Sequence, residues 1–494
     1  MTFNSARLHP IAILLFSFQT VKDMFFIFFI GFFIGIEDNF LIYFLIGTAV
    51  LLSLIIFFSW IKWFRFTYTV TDGELRIEHG LFVRKKRTIS KYRIQSINLN
   101  QNIVHRLLDL TGVQVETAGS DLDVDANLIA LKLTVAEQLR QELKLTTNDE
   151  SDSEQYDYDY DYALENQLPK YEASYKRLFA FGSTSGGFGF IIAIILFIFS
   201  EAETFIPDQF FDQTTTWLLS QAFTVLAVLI ILALIAVWFL GTIGSVIKYG
   251  DFTIIRYDQE LYITRGLLEK KQLTIPLERI QAVSFKQNLL RLPFNLGSLT
   301  IVIAGGEVSK KENIQTVIFP LIRKSEIEPF LTTILPEYRA SFEQLKPISK
   351  RFFYFNSVVN VFGAIVIISI LAIFISNFWW IGLVLLIPAW SYDFIKYKLT
   401  KTALTDDQLT MQIVPILSKE TVWLKKDKVQ ALEQRQNPIQ RKLNIAIHKV
   451  SVMDNFVGQH YVVHGLPIED AKEISDWYSY RETYQLKDID LNKK

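Results

Sequence analysis

A run of consecutive basic residues is the part of this sequence best suited to bind a ligand: Arg84, Lys85, Lys86 and Arg87. Clustered cations attract the phosphate groups of anionic lipids, and each is worth about 1 kcal/mol close to a charged membrane surface. The matching position of a later segment carries Lys270 and Lys271. These residues are candidate lipid contacts. The alternative is a charged hairpin that is simply solvated.

A series of amide side chains recurs at matching positions along the chain: Gln95 and Asn102, Gln281 and Asn288, and Gln430 and Asn437. Amides often bond backbone groups in turns, which favours a structural role for the series. The same side chains would also suit a groove in which a peptide or a partner domain binds. The sequence leaves both interpretations open.

Signals for catalysis or metal binding are weak. Cysteine is absent, which excludes disulfides and thiolate metal sites. His460 and His464 have the spacing of metal ligands on a helix, but the residues around them predict a strand. The chain contains neither a nucleophile elbow nor a phosphate-binding loop motif. We predict that the protein is not an enzyme, holds no metal or cofactor and binds no nucleic acid.

The basic run belongs to a segment that occurs three times. The copies are Gly80–Asn102, Gly266–Asn288 and Pro415–Asn437, and they align without a gap. Self-similarity at a fixed register indicates repeated structural units. In the third copy Pro415 replaces the turn glycine. A binding role shared by the first two units therefore need not extend to the third.

The composition indicates membrane spans. The 494 residues are 50% hydrophobic and only 20% charged, with 41 Phe, which suggests a membrane protein rather than one soluble core. Six apolar stretches predict three transmembrane hairpins: residues 24–36 (counted back to 21), 40–60, 178–199, 217–240, 353–375 and 380–394. We find no ionisable residue in the middle of these stretches, which argues against a transport mechanism.

A strand-rich segment follows each hairpin. Period-2 runs predict several short strands, and a closing amphipathic helix ends each unit. The predicted domains are residues 1–65 (N-terminal segment and hairpin 1), 66–145 (domain 1), 146–170 (acidic disordered linker), 171–249 (hairpin 2), 250–336 (domain 2), 337–396 (hairpin 3), 397–480 (domain 3) and 481–494 (tail).

The charges near the spans predict their orientation. The loops inside the hairpins carry acidic residues and no Lys or Arg: Glu37, Asp38, Glu201, Glu203, Asp208 and Asp212. The opposite ends of the spans carry the nearby basic residues. Because cationic flanks stay cytoplasmic, we predict that the soluble domains and both termini face the cytoplasm of a bacterial cell, with the protein in its plasma membrane.

The segment TVTDGELRIEHGLFVRKKRTISKYRIQSI, which begins at Thr69, resembles a bacterial pleckstrin-homology-like (PH-like) domain. Arg93–Ser96 and Arg279–Ala282 match the R-I-Q-S-V strand of such domains. Hairpin plus domain, three times over, resembles the YdbT-like family of bacterial membrane proteins along nearly the full chain. The resemblance implies an α+β membrane protein with six transmembrane helices in three hairpins, each followed by a PH-like β-sheet domain with a C-terminal helix.

These features predict a non-enzymatic integral membrane scaffold or sensor whose cytoplasmic PH-like domains bind the inner leaflet, anionic lipids or partner proteins. The resemblance suggests a role in envelope stress or antimicrobial-peptide resistance. It also suggests a smaller single-domain PH-like membrane protein as partner, or a homo-oligomer. The alternative is a transporter or lipid-handling membrane protein that acts through its helices. A polar groove between helices would favour that alternative.

Overall fold

The computed structural model of the chain describes residues 3–26, 28–29, 41–71, 73–81, 83–117, 126–143, 168–185, 215–288, 290–304, 315–340, 342, 344–374, 381–415, 418–453 and 458–479. The chain forms two compact units. Unit 1 contains Met1–Leu168 and Ile255–Leu277, and unit 2 contains Pro169–Ile254 and Glu278–Lys494. The predicted linker 146–170 lies outside the described residues except at its end, where Lys170 begins a strand.

The first repeat contains two helices, then strands that enclose one short helix, then a closing helix. In chain order its elements are β1 (Phe3–Arg7), α1 (Ala12–Asp23), α2 (Leu41–Phe64), β2 (Thr67–Thr71), β3 (Glu74–His79), β4 (Lys85–Ser90), β5 (Ile94–Gln101), α3 (Ile103–Leu107), β6 (Leu110–Thr117), β7 (Ala126–Lys132) and α4 (Leu133–Leu143). The strands form because apolar side chains alternate along them: Tyr68 and Val70 of β2 are buried, while their neighbours are not.

The second repeat has the same order of strands and longer helices, but residues 290–295 form a turn in place of the short helix. Its elements are β8 (Lys170–Glu172), α5 (Tyr175–Thr184), α6 (Thr215–Tyr249), β9 (Thr253–Arg256), β10 (Glu260–Arg265), β11 (Lys270–Pro276), β12 (Ile280–Asn288), β13 (Leu296–Ile303), β14 (Thr316–Arg323) and α7 (Ile327–Ile334). The closing helix α7 buries Ile327, Phe330, Leu331 and Ile334, the stripe expected of an amphipathic helix on a sheet.

The third repeat follows the same plan. Its elements are β15 (Lys346–Pro347), α8 (Lys350–Phe374), α9 (Ile381–Leu399), β16 (Lys401–Leu404), β17 (Gln408–Ile413), β18 (Ser418–Lys425), β19 (Val429–Arg435), α10 (Pro438–Lys442), β20 (Ile445–Val452), β21 (Gln459–Pro467) and α11 (Ile468–Tyr478). The three repeats thus share one order of strands and a closing helix, while the short helix is found in the first and third.

Unit 1 contains a sheet that joins two repeats. Strands β1 to β4 form one antiparallel sheet in the order β1-β2-β3-β4. The other sheet runs β7-β6-β5-β11-β10 within the unit. Its strands β5 and β11 belong to the first and second repeats and pair antiparallel, with Lys271 opposite Asn100. The compact units therefore do not coincide with the sequence repeats.

Unit 2 shows the same kind of junction. One sheet has the order β14-β13-β12-β18-β17-β16-β15, and a second has the order β19-β20-β21. Strand β12 of the second repeat pairs antiparallel with β18 of the third from Ala282↔Leu424 to Asn288↔Ser418. Each unit has its own apolar core. That of unit 1 includes Leu75 and Val113, and one core of unit 2 includes Leu409 and Val450.

Three described helices are long and apolar enough to cross a membrane: Ile42–Phe64, Ile231–Tyr249 and Lys350–Ile373. They overlap the predicted spans 40–60, 217–240 and 353–375. The predicted spans 24–36 and 178–199 lie for the most part outside the described residues. Helix α9 covers residues 381–394 of the predicted span 380–394 and contains Pro388. The six-span arrangement stays a prediction.

Candidate membrane-surface and partner-binding sites

The basic run lies in the β3–β4 hairpin of the first repeat. Glu78 of β3 stands opposite Lys86 of β4. Its carboxylate forms ion pairs with Lys86, at 3.0 Å, and with Arg84. Hydrogen bonds from Lys86 and then Arg84 lower the pKa of Glu78. One carboxylate thus holds two of the cationic side chains, and both of these remain about two-thirds exposed.

The turn of this hairpin has a fixed geometry. Gly80 has a φ of 130°, and a Cβ added there would lie 1.9 Å from the carbonyl oxygen of Val83. Only glycine therefore fits this turn. Val83 itself is 71% exposed. The guanidinium of Arg65, directly after α2, donates a hydrogen bond to the carbonyl oxygen of Leu81. The tip of the cationic hairpin is thereby tied to the end of an apolar helix.

The matching lysines of the second repeat have a different environment. Lys270 and Lys271 lie in β11, which pairs with β10 on one side and with β5 on the other. Lys270 stands opposite Gln101, and the Lys271 ammonium lies 4.0 Å from the Glu269 carboxylate. Asn100 donates a hydrogen bond of 2.9 Å to that carboxylate. These lysines are part of a junction between repeats and lie in a different sheet from the basic run.

In the third repeat the matching strand is largely buried. Lys419 stands opposite Gln287 in the β12–β18 junction. Burial, assisted by the positive charges of Lys324 and Lys401, lowers the pKa of Lys419 to about 8. Its neighbour Glu420 is buried and lies 3.9 Å from the Lys286 ammonium. This strand is accordingly poorly placed to contact a membrane surface.

The predicted asparagine series lies at the end of matching strands. Asn102 accepts a hydrogen bond of 2.9 Å from the backbone N–H of His105, and so caps α3. Asn437 accepts one of 2.7 Å from the backbone N–H of Gln440, and so caps α10. The carbonyl oxygen of Asn288 accepts hydrogen bonds from the next turn. Such caps satisfy donors that a helix start leaves unpaired.

The predicted glutamine series does not share one environment. Gln281 is buried and donates a hydrogen bond of 3.3 Å to the carbonyl oxygen of Arg279. Gln95 is half-buried at the start of β5, whereas Gln430 is exposed. The structure does not bring these three side chains to one groove.

A different glutamine position, occupied by Gln101, Gln287 and Gln436, makes the same contact in all three repeats. Its amide donates to a backbone carbonyl oxygen nine residues later, at 2.9, 3.1 and 2.9 Å in Gln101→Leu110, Gln287→Leu296 and Gln436→Ile445. The residue before each acceptor has a positive φ: Asp109, Asn295 and Asn444. The alignment of the repeats contains this signal, because Gln101, Gln287 and Gln436 match.

A buried polar position was missed by the sequence analysis. It is occupied by His105, Arg291 and Gln440 in the three repeats, and all three are buried. Arg291 donates hydrogen bonds of 2.8 Å to Thr184 Oγ1 and to the Phe181 carbonyl oxygen, and of 3.0 Å to Ser185 Oγ. Burial lowers the pKa of Arg291 to about 10. Arg291 thus fixes the second domain to the end of α5, where a cation suits the helix dipole.

The two histidines with metal-like spacing do not meet at one site. His460 Nδ1 lies 2.8 Å from Ser451 Oγ, and the His464 ring packs against Phe352 with centroids 6.2 Å apart. Among the described residues, no group of three His, Cys, Asp or Glu side chains is arranged to hold a metal ion.

A polar contact joins the helices of the third hairpin. Asp393 of α9 is buried and accepts hydrogen bonds from Asn356, at 3.3 Å, and Asn360 of α8. The sequence places no ionisable residue in the middle of a predicted span, and Asp393 lies one residue before the end of the last one. The described part of this helix interface is therefore not purely apolar.

Comparison with known proteins gives two matches. The family model described as "Bacterial PH domain" matches three times, at residues 25–146, 216–338 and 358–482. The "UPF0699 transmembrane protein YdbT" of Bacillus subtilis (strain 168) is 32% identical over 495 residues, which covers 98% of this chain and 99% of that protein. No solved structure matches the chain.

Proposed function

The chain belongs to the YdbT-like family of transmembrane proteins with bacterial PH domains, and from this premise we propose that it is a non-enzymatic scaffold or sensor of the bacterial plasma membrane. Six helices in three hairpins span the membrane, and three PH-like domains lie in the cytoplasm. The first domain binds anionic lipid of the inner leaflet through Arg84, Lys85, Lys86 and Arg87.

The observation that carries this proposal is the bond between Arg65 and the carbonyl oxygen of Leu81. Arg65 follows the apolar helix α2 directly, so the bond holds the hairpin tip beside the end of that helix, which supports a position at the membrane surface. The cations next to the tip then lie in the negative potential of the leaflet, where each contributes about 1 kcal/mol of attraction. The exposed Val83 lies beside them.

The second repeat supports the proposal by contrast. The second repeat has only two cations here, Lys270 and Lys271, where the first has four. They lie in a strand that has a neighbouring strand on each side. The lipid contact is accordingly a property of the first domain. The second and third domains use the matching strand to join the repeats to one another, which is a scaffold role.

The full-length protein is the correct sample for a test. An isolated fragment 66–145 would lose β1 and would expose the edge of β5 that β11 covers. Since the chain has no cysteine, Val83→Cys can carry a polarity-sensitive fluorophore in nanodiscs of neutral or 30% anionic lipid, a composition chosen to approximate an anionic leaflet of roughly −30 mV.

We expect the fluorescence to shift to the blue in anionic nanodiscs and the shift to shrink with salt. Changing Arg84, Lys85, Lys86 and Arg87 to Ser should abolish the shift, whereas the matched control Lys270→Ser with Lys271→Ser should preserve it. A spectrum that ignores lipid charge, or that responds equally in both variants, would contradict the proposal.

A second candidate function rests on Asp393. An ionisable residue buried between two helices, here near the end of a predicted span, can be part of a transport path, and this observation favours a transporter or lipid-handling protein. The test is lipid scrambling or ion flux in proteoliposomes. Activity that is lost in Asp393→Asn would support this candidate. Absence of activity in the wild-type protein, measured beside a reconstituted transporter as positive control, would remove it.

A further inference from the structure

The two junctions between repeats have the same register. In the first, Gln101 of β5 stands opposite Lys270 of β11. In the second, Gln287 of β12 stands opposite Lys419 of β18. Gln101 matches Gln287 in the alignment of the repeats, and Lys270 matches Lys419. In both junctions, the fourth strand of one repeat therefore pairs, in the same register, with the fifth strand of the repeat before it.

Each of the two kinds of strand that form these junctions also occurs once, in the described part of the chain, without a paired strand of the other kind. Strand β4 is the last strand of the sheet β1-β2-β3-β4, and β19 is the first strand of the sheet β19-β20-β21. In the described part of the chain each of them has a neighbouring strand on one side only. Most residues of both strands are exposed, although the matching strands β12 and β18 are largely buried.

We propose that a second copy of this chain completes these edges: β4 of one copy pairs antiparallel with β19 of another in the register of the internal junctions. That register places Arg84 opposite Gln436, Lys86 opposite Gln434 and Thr88 opposite Leu432. The pairing continues an interface that the chain already forms twice. Because the two surfaces differ, the contact is head-to-tail and builds a ring or an open row of copies.

The charges along the two strands limit how tightly they pair. In this register Glu433 faces Arg87, which is attractive, and Arg435 faces Lys85, which is repulsive. Charged side chains on an exposed edge also prevent indiscriminate strand pairing. The edge is thus selective for a strand in the correct register. Arg435→Glu removes the repulsion and should increase the association.

The test is disulfide cross-linking of the full-length protein in membranes, which the absence of natural cysteine makes unambiguous. One population carries Lys86→Cys and the other carries Gln434→Cys. These positions match Thr421 and Phe285, respectively, which stand opposite each other in the β12–β18 junction. Mild oxidation should give a mixed covalent dimer, while each variant alone should give none. Asn100→Cys with Lys271→Cys in one chain is the positive control.

Lys86→Cys mixed with Gln430→Cys is the out-of-register control. These positions are about 13 Å apart along the strand in the proposed register, too far for a disulfide. We expect at least about a ten-fold larger yield from the 86–434 pair, because geometry selects the bridge. Equal yields, dimers from either variant alone, or no mixed dimer because a shorter partner chain holds the edges would each overturn the proposal.

The pairing uses the backbone of β4, whereas the lipid contact uses its side chains. Failure of the cross-link leaves the fluorescence test of lipid binding unaffected, and the reverse also holds.

Discussion

Strands β4 and β18 occupy the same place in the first and third repeats, yet their residues differ in kind. Lys85–Thr88 are all exposed. The matching Glu420–Trp423 are all buried, in a strand that pairs with β12 of the preceding repeat. Strand β4 of the first repeat has a free edge among the described residues.

Strands at the same place in the repeat can thus lie in different environments. A covered strand carries Val422 and Trp423, which bury a large apolar area. A strand at an edge, such as β4, carries Lys and Arg, whose charged ends stay in solvent and can face a charged surface. The same strand of the repeat thereby forms a joint between repeats at β18 and an exposed, charged edge at β4.

The largest effect should follow from truncating the covered strand. Trp423 is fully buried and packs against Phe342 with ring centroids 5.8 Å apart. Trp423→Ala should lower the free energy of unfolding of unit 2 by about 3 to 5 kcal/mol. Thermal unfolding in detergent measures this, with Thr88→Ala at the matching edge position as control. Comparable losses from both variants would refute the contrast between the two strands.

A somewhat smaller loss of unfolding free energy is expected from changing Arg291, at the polar position that is buried in all three repeats. Arg291→Ala leaves Thr184, Ser185 and the Phe181 carbonyl oxygen without their donor. Its cost should be about 3 kcal/mol, since buried polar groups that lose a charged partner are expensive. Arg291→Lys should restore only part of the stability because an ammonium cannot make the same fork of bonds. An unchanged melting temperature in Arg291→Ala would show that this anchor is unimportant.

Acid should destabilise the third repeat more than the first. His448 and His464 occupy positions held by Val113 and Ile129 in the first repeat. Burial lowers the pKa of both to about 4, assisted for His464 by Lys396. Their folded pKa lies below the unfolded value near 6.5, so the unfolded chain binds more protons between these values. Stability should therefore fall as the pH drops from about 6.5 to about 4.

For the fully buried His448 the loss reaches about 3 kcal/mol at pH 4. Melting temperatures between pH 7 and pH 4 check this, with His448→Gln expected to flatten the curve. A wild-type curve that His448→Gln leaves unaltered would show that another group controls the acid response.

The smallest effect on stability is expected at the exposed edge itself. Glu78→Gln removes the ion pairs with Arg84 and Lys86 on the surface, where such pairs contribute little to stability. The melting temperature should not change measurably. The hairpin becomes more positive, so its response to anionic nanodiscs should increase. A weaker response would indicate that Glu78 positions the cations for binding rather than neutralising them.

Much of the fold follows from local patterns in the sequence. The run KKRTIS predicts β4 within its observed bounds, and the apolar stripe of 327–334 predicts α7. Strand β7 (Ala126–Lys132) and the short helix α3 (Ile103–Leu107) were not predicted, because neither has a long periodic signal. The pairing of β5 with β11 was also not predicted. Alternation shows that a segment is a strand but does not identify its partner more than 160 residues away.

The site could be predicted to a similar degree. A run of four cations is visible in any sequence, so the candidate at Arg84–Arg87 needed no structure. Only the structure shows that this run lies at a sheet edge while Lys270 and Lys271 lie in an interior strand, since edge and interior strands can have similar local sequences. The role of Arg291 depends on its contacts with α5 and has no local signal. Three polar residues at one aligned position, His105, Arg291 and Gln440, were the available hint.

Labels on two turns of the full-length protein test whether the edge hairpin, and not the junction, contacts anionic lipid. Val83→Cys reports the edge hairpin, and Leu268→Cys reports the turn between β10 and β11, whose lysines lie in a junction. Each carries a fluorophore in anionic nanodiscs that contain headgroup-nitroxide lipid. We expect strong quenching at position 83, lost at high salt, and weaker quenching at position 268. Equal quenching at the two positions, or none at position 83, would contradict this expectation.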